Sequence, residues 1–119
     1  VTRDFGSGDA VARALRGVEL DIPHGELLML VGPSGCGKTT LVSIIAGTLQ
    51  PTSGDVEVFG EDLVAMSPAA RVRFRRENVG FIFQSFNLLP ALTAVENAAV
   101  PLIIAGWSRA RALPAAAAL

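Results

Sequence analysis

Gly32, Gly37, Lys38 and Thr39 occupy the fixed positions of G-x-x-x-x-G-K-[ST] within the run Gly32-Pro33-Ser34-Gly35-Cys36-Gly37-Lys38-Thr39-Thr40. These residue types at this spacing suit the holding of a polyphosphate. Concentrated negative charge needs several convergent donors and close backbone approach. Glycines let successive N–H groups turn inward, and a following helix offers its positive end. The Lys38 ammonium can reach β- and γ-phosphates, and the Thr39 hydroxyl supplies an oxygen ligand for Mg²⁺. Such a set arises by chance in roughly one per cent or fewer of chains this long, given ordinary glycine usage. The competing reading is a plain glycine-rich turn.

The loop chemistry demands a strand before it and a helix after it. Leu27-Leu28-Met29-Leu30-Val31 is a continuous apolar run between Gly25 and Gly32, as expected of a strand buried on both faces of a parallel sheet. After the loop, Leu41, Ile44, Ile45 and Leu49 recur at helical spacing, predicting a helix from Lys38 that ends near Gly47 and Pro51. Val18-Glu19-Leu20-Asp21-Ile22 and Asp55-Val56-Glu57-Val58-Phe59 alternate apolar with acidic residues and read as antiparallel or edge strands. His24 falls in the turn Pro23-His24-Gly25.

Further along, Ser67-Pro68 reads as an N-cap followed by proline at the first helical position, opening a helix through about Glu77. Arg71, Arg73, Arg75 and Arg76 on that helix read as a solvated face rather than an anion site. Val79-Gly80-Phe81-Ile82-Phe83 is a second candidate central strand, stopping at polar Gln84. Thr93-Ala94-Val95-Glu96 is a capping box that starts a helix with a kink expected at Pro101. The alanine-rich stretch beyond Gly106 predicts a weakly anchored helix, because Pro114 interrupts it and its apolar stripe is thin.

The chain has 119 residues and is 50% hydrophobic, enough for one compact domain and too short for a second full one. A net charge of −1 gives no broad electrostatic footprint for nucleic acid. The uncharged stretch Asn97 to Trp107 is far short of the ~20 residues of a membrane span, and no apolar leader core follows Val1. The start at Val rather than Met reads as a clipped beginning. One cysteine, Cys36, forbids an internal disulfide and fits a reducing compartment. With no histidine or carboxylate near it in sequence, Cys36 reads as a small residue the loop requires rather than a nucleophile.

The chain resembles the nucleotide-binding domain of ABC transporters from about residue 1 to about residue 110. Four segments carry the likeness: Ala14-Leu15-Arg16-Gly17 into VELDIPHGELLMLVGPSGCGKTTLVSIIAG, then LQPTSGDVEVFGEDL, RRENVGFIFQSFNLLP and LTAVENAAVPLIIAG. The last two look most like the lipoprotein-releasing and macrolide-exporting subgroup. The implied fold is α/β, an incomplete P-loop NTPase core with an antiparallel β subdomain and the start of a helical subdomain. All of residues 1–119 are then the N-terminal part of one nucleotide-binding domain, with its phosphate loop at 32–40, its Q-loop near 84 and its helical subdomain from about 93.

The resemblance also implies roles. Gly32, Ser34, Gly35, Cys36, Gly37, Lys38, Thr39 and Thr40 hold the phosphates of ATP, with Thr40 at the α-phosphate. Thr39 and Gln84 serve Mg²⁺, and Lys38 and Gln84 act in catalysis. Gln84 ends an apolar run with a neutral amide whose oxygen suits Mg²⁺ or an attacking water; without the family it is an ordinary strand-end polar residue. Phe5 stands where the family has an adenine-stacking tyrosine, and the alternative is a core aromatic near the start of a strand. No segment matches the family's LSGGQ signature, its apolar-Asp-Glu strand or its late switch histidine, since His24, the one histidine, precedes the loop.

The implied partners are transmembrane permease subunits and a second nucleotide-binding subunit. The implied place is the cytoplasm, peripheral on the inner face of the membrane. The implied activity is ATP hydrolysis coupled to export or membrane extraction, with this chain binding ATP better than it hydrolyses it. The alternatives are a short non-catalytic nucleotide-binding or interaction module and a non-functional truncated fragment.

Overall fold

The computed structural model describes residues 1–82 and 87–118, and the chain gathers into two units, Val1–Val72 and Arg73–Leu119. The first unit begins with strand β1 (Thr2–Phe5) antiparallel to β2 (Ala12–Arg16), the connection passing through a 3-10 turn at Gly8–Ala10. Thr2 pairs with Arg16, Arg3 with Leu15, Asp4 with Arg13 and Phe5 with Ala12. Ala14 is therefore an extra residue on β2, a bulge that shifts which face the side chains before it occupy. β1 is fastened at its other edge: the Thr2 N–H donates to the Ser53 carbonyl and the Thr52 N–H to the Thr2 carbonyl, both at 2.9 Å.

Helix α1 (Lys38–Ile45) follows the glycine-rich loop at residues 32–37 and contacts β2. It ends where the sequence predicts, on a left-handed glycine. Gly47 has φ +67°, its N–H donates to the Ile44 carbonyl, and the Thr48 N–H reaches back to Ser43, so these two carbonyls of the last turn are satisfied. Strands β3 (Glu57–Val58) and β4 (Glu61–Asp62) form a hairpin turning on Phe59 and Gly60, both at positive φ. Leu15, Ile44, Ala46, Val56 and Leu63 are the buried apolar residues of this unit. Helix α2 (Pro68–Asn78) starts in the first unit and ends in the second, and the Ser67 hydroxyl accepts the Ala70 N–H at 3.2 Å as its cap.

The second unit is built on α3 (Ala94–Ile104) and α4 (Arg109–Ala117). The capping box forms in full: Thr93 Oγ1 accepts the Glu96 N–H at 3.3 Å, and the Glu96 carboxylate accepts the Thr93 N–H at 2.9 Å. That bond from the Thr93 backbone, with the Thr93 hydroxyl and then the Arg109 charge behind it, holds the Glu96 carboxyl below the usual glutamate range. Asn97 ties the preceding loop to the helix, accepting the Leu89 N–H at 2.8 Å and donating to the carbonyls of Leu89, Leu92 and Thr93. Gly106 at φ +95° closes α3, with the Gly106 N–H on Ile103 and the Trp107 N–H on Leu102. Ala99, Ala112 and Ala116 are buried in this unit, with Leu102, Trp107 and Leu113 packed around them.

Several expectations are corrected. Residues 27–31 form no strand: Leu27 is 99% exposed and Val31 84%, because no described segment runs beside them to complete a hydrogen-bond ladder. Residues 18–22 and 79–82 likewise form no strand, although Val18 exchanges backbone hydrogen bonds with Val1 at 2.8 and 2.7 Å, and of 55–59 only Glu57–Val58 forms a strand. Phe83 and Gln84 lie outside the described residues. The weakly anchored final helix is instead held by two buried alanines, whose small side chains let α4 lie close on α3. His24 is in a turn as expected, its ring edge-on to Phe59 with centroids 6.0 Å apart.

Candidate phosphate-binding site

The loop from Gly32 to Gly37 is shaped by backbone that other residues rarely adopt. Gly37 has φ +95°, and a Cβ there would lie 2.6 Å from the Ala14 carbonyl oxygen. The glycine thus lets the loop press directly on the bulge of β2. Gly32 is tight for a different reason, since a Cβ would meet Cys36 Sγ at 2.8 Å. Ser34, Gly35 and Cys36 are exposed along the loop, and the Cys36 N–H donates to the Pro33 carbonyl at 3.4 Å.

Lys38 is half-buried and folds back over this loop. Its Nζ donates to the carbonyls of Gly32 and Pro33, each at 2.7 Å, and lies 3.5 Å from Cys36 Sγ. Among the described residues no carboxylate pairs with it. Its charge adds to that of the helix end: α1 has no side-chain cap bond at Gly37 and no acidic residue in its first turn, so its N–H groups are uncompensated. Thr39 is exposed and Thr40 half-buried in that same turn. The loop, Lys38 and the helix start together form a concentrated positive, donor-rich surface with hydroxyl oxygen beside it, chemistry suited to a polyphosphate and a hard cation.

Phe5 ends β1 at 40% exposure, with the Arg3 guanidinium 4.6 Å from its ring centroid, so the core-aromatic reading is removed. Its partner Ala12 is two residues, or about 7 Å of strand, from Ala14 at the loop. Gln84 is outside the described residues, so the structure does not join it to the loop.

A group the sequence reading missed lies on β2. A cleft of about 340 Å³ beside the loop is lined by Arg13, Ala14, Leu15, Arg16, Val18, Gly35 and Cys36. Strict strand alternation would send residues 13 and 16 to opposite faces. The bulge that brings both arginines to one cleft leaves no mark in the sequence pattern.

A family model described as ABC transporter matches residues 15–119. The chain belongs to the ABC transporter family. An uncharacterized ABC transporter ATP-binding protein of Mycobacterium bovis is 47% identical over 92% of this chain and 33% of its own length. The ABC relative LolD of Geobacter metallireducens, a lipoprotein-releasing system ATP-binding protein, is 44% identical over 94% of this chain and 50% of its own length. MacB of Marinobacter nauticus, a macrolide export ATP-binding/permease protein, is 43% identical over 92% of this chain and 17% of its own.

A solved dimeric ATP-binding cassette, in a post-hydrolysis state bound to ADP and Pi, matches with a TM-score of 0.90 at 36% identity, over 98% of this chain and 51% of that one. This ABC chain thus has the α/β fold of the cassettes and spans half or less of the length of these curated relatives. No helix among the described residues is long and apolar enough to cross a membrane.

Proposed function

We propose that this ABC chain binds ATP with Mg²⁺ at residues 32–40, as part of one nucleotide-binding domain whose complete subunit hydrolyses ATP. The observation that carries this reading is the Lys38 ammonium set over the Gly32–Gly37 loop at the uncapped start of α1. The residues fit the group. The loop amides and the helix end would receive phosphate oxygens, and Lys38 would exchange its bonds to the Gly32 and Pro33 carbonyls for bonds to phosphate. Gly32, Ser34, Gly35, Cys36 and Gly37 hold the backbone close, and Thr40 lies in the first turn beside them. Phe5 offers its ring to the base. Mg²⁺, when bound, neutralises charge on the phosphates, and the Thr39 hydroxyl, with Gln84, would hold it.

The likeness to LolD and MacB supports coupling to export or to membrane extraction, with permease subunits as partners. The dimeric cassette supports assembly with a second nucleotide-binding subunit. Such a subunit would sit on the cytoplasmic face of the membrane.

Removing the ammonium leaves phosphate charge unpaired, so Lys38→Ala should weaken ATP binding by roughly 2–5 kcal/mol. Titration calorimetry measures this directly, and an unchanged affinity would remove the reading.

A further inference from the structure

The cleft on the β2 side of the loop contains a charge that the site described above does not use. Arg13 and Arg16 both line it, together with Gly35 and Cys36 of the loop. The two arginines differ in how they are balanced. Arg13 Nε donates to Asp4 Oδ1 at 3.2 Å, across the strand pair in register with it. Arg16 has no ion pair among the described residues, and its backbone is fixed by pairing with Thr2. The cleft therefore carries one guanidinium whose charge is met and one whose charge is not.

The bulge explains how both came to one cleft. With Ala14 unpaired, the alternation is reset between Leu15 and Arg13, so Arg16 and Arg13 share a face while Leu15 is buried at 4% exposure on the other. Ala14 is also the residue whose carbonyl abuts Gly37. One irregularity in β2 thus both seats the phosphate loop and turns a free guanidinium along its flank. Bulges recur next to functional sites because they re-aim side chains in this way.

We propose that Arg16 forms the β2-side wall of the phosphate site, its guanidinium contacting the polyphosphate of the bound nucleotide, and that the Ala14 bulge aims it there. The inference rests on the reading that residues 32–40 bind ATP. A planar guanidinium suits phosphate oxygens, which it can meet with two parallel N–H groups. Arg16 is a binding residue in this account, and Arg13, held by Asp4, contributes less.

The test is titration of Mg-ATP and of inorganic tripolyphosphate against the wild type, Arg16→Ala, Arg16→Lys, Arg13→Ala and Lys38→Ala. Thermal unfolding of each variant serves as the fold control. Arg16→Ala is expected to weaken both ligands by about tenfold, the loss typical of a hydrogen bond to a charged group. Its unfolding midpoint should stay near that of the wild type, and Arg16→Lys should recover part of the affinity. A weakening that spares tripolyphosphate would overturn the proposal, because Arg16 would then act on the base or ribose. Unchanged affinity for both ligands in Arg16→Ala, with both weakened in Lys38→Ala, would also overturn it while leaving the loop reading intact. If Lys38→Ala binds ATP as well as the wild type, the loop reading itself fails and this inference fails with it. Should Arg16→Ala not fold, Arg16→Gln, which keeps the apolar stem but loses the charge and the guanidinium's reach, replaces it under the same criteria.

Discussion

Lys38 and Gly37 show how much of the site rests on single side chains, one present and one absent. Gly37→Ala combines a left-handed backbone with a Cβ only 2.6 Å from the Ala14 oxygen, so it should cost roughly 2 kcal/mol or more and displace the loop from β2. Gly35→Ala has the same backbone sign at φ +79° but meets nothing within 4 Å, and should cost about 1 kcal/mol. Thermal unfolding separates them: Gly37→Ala should lose clearly more stability than Gly35→Ala, and equal losses in both would contradict the role given to close approach. The loop residues were legible because their chemistry lies in local spacing. Arg16 was not, since its place in the cleft depends on a bulge that is seen only once β1 and β2 are paired.

Helix ends were the most readable elements, because a cap is a bond between residues three or four apart. The box at Thr93 and Glu96 and the stop at Gly47 stand where the sequence reading puts them. Strands are different: a run such as Leu27 to Val31 states a preference for burial but contains no information about which segment will lie beside it. Pro114 misled for a related reason, since the anchoring of α4 comes from Ala112 and Ala116 meeting α3 and not from the helix's own stripe.

The cap carries a pH dependence. The lowered Glu96 carboxyl contributes stability that is fully present above the unfolded value of about 4.3 and is lost as pH falls through the folded value. Thr93→Ala should lower stability by about 1 kcal/mol at neutral pH. Glu96→Gln should flatten the acid limb of the unfolding midpoint against pH. An acid limb as steep as that of the wild type would show that the capping carboxylate is not its source.

At the scale of the whole molecule, the family was legible from four segments, while the state of its apolar runs was not. Leu27, Met29, Val31 and Ile82 are each 80% exposed or more, a degree of apolar exposure that favours self-association. Leu27→Lys with Ile82→Lys should reduce binding of a hydrophobic dye and raise the concentration at which the chain stays monomeric. The unfolding midpoint should barely move, since exposed substitutions stay within about 0.5 kcal/mol. Dye binding equal to that of the wild type would count against these runs as the sticky surface. The start of α1 links the site to the solution around it. A helix that begins on Gly37 with no side chain to accept its first N–H groups leaves them for solvent or, on the reading proposed for this loop, for an anion to meet. Phosphate or sulfate in a buffer would then finish the helix and compete with nucleotide in the same act, so the choice of salt becomes part of the protein's structure.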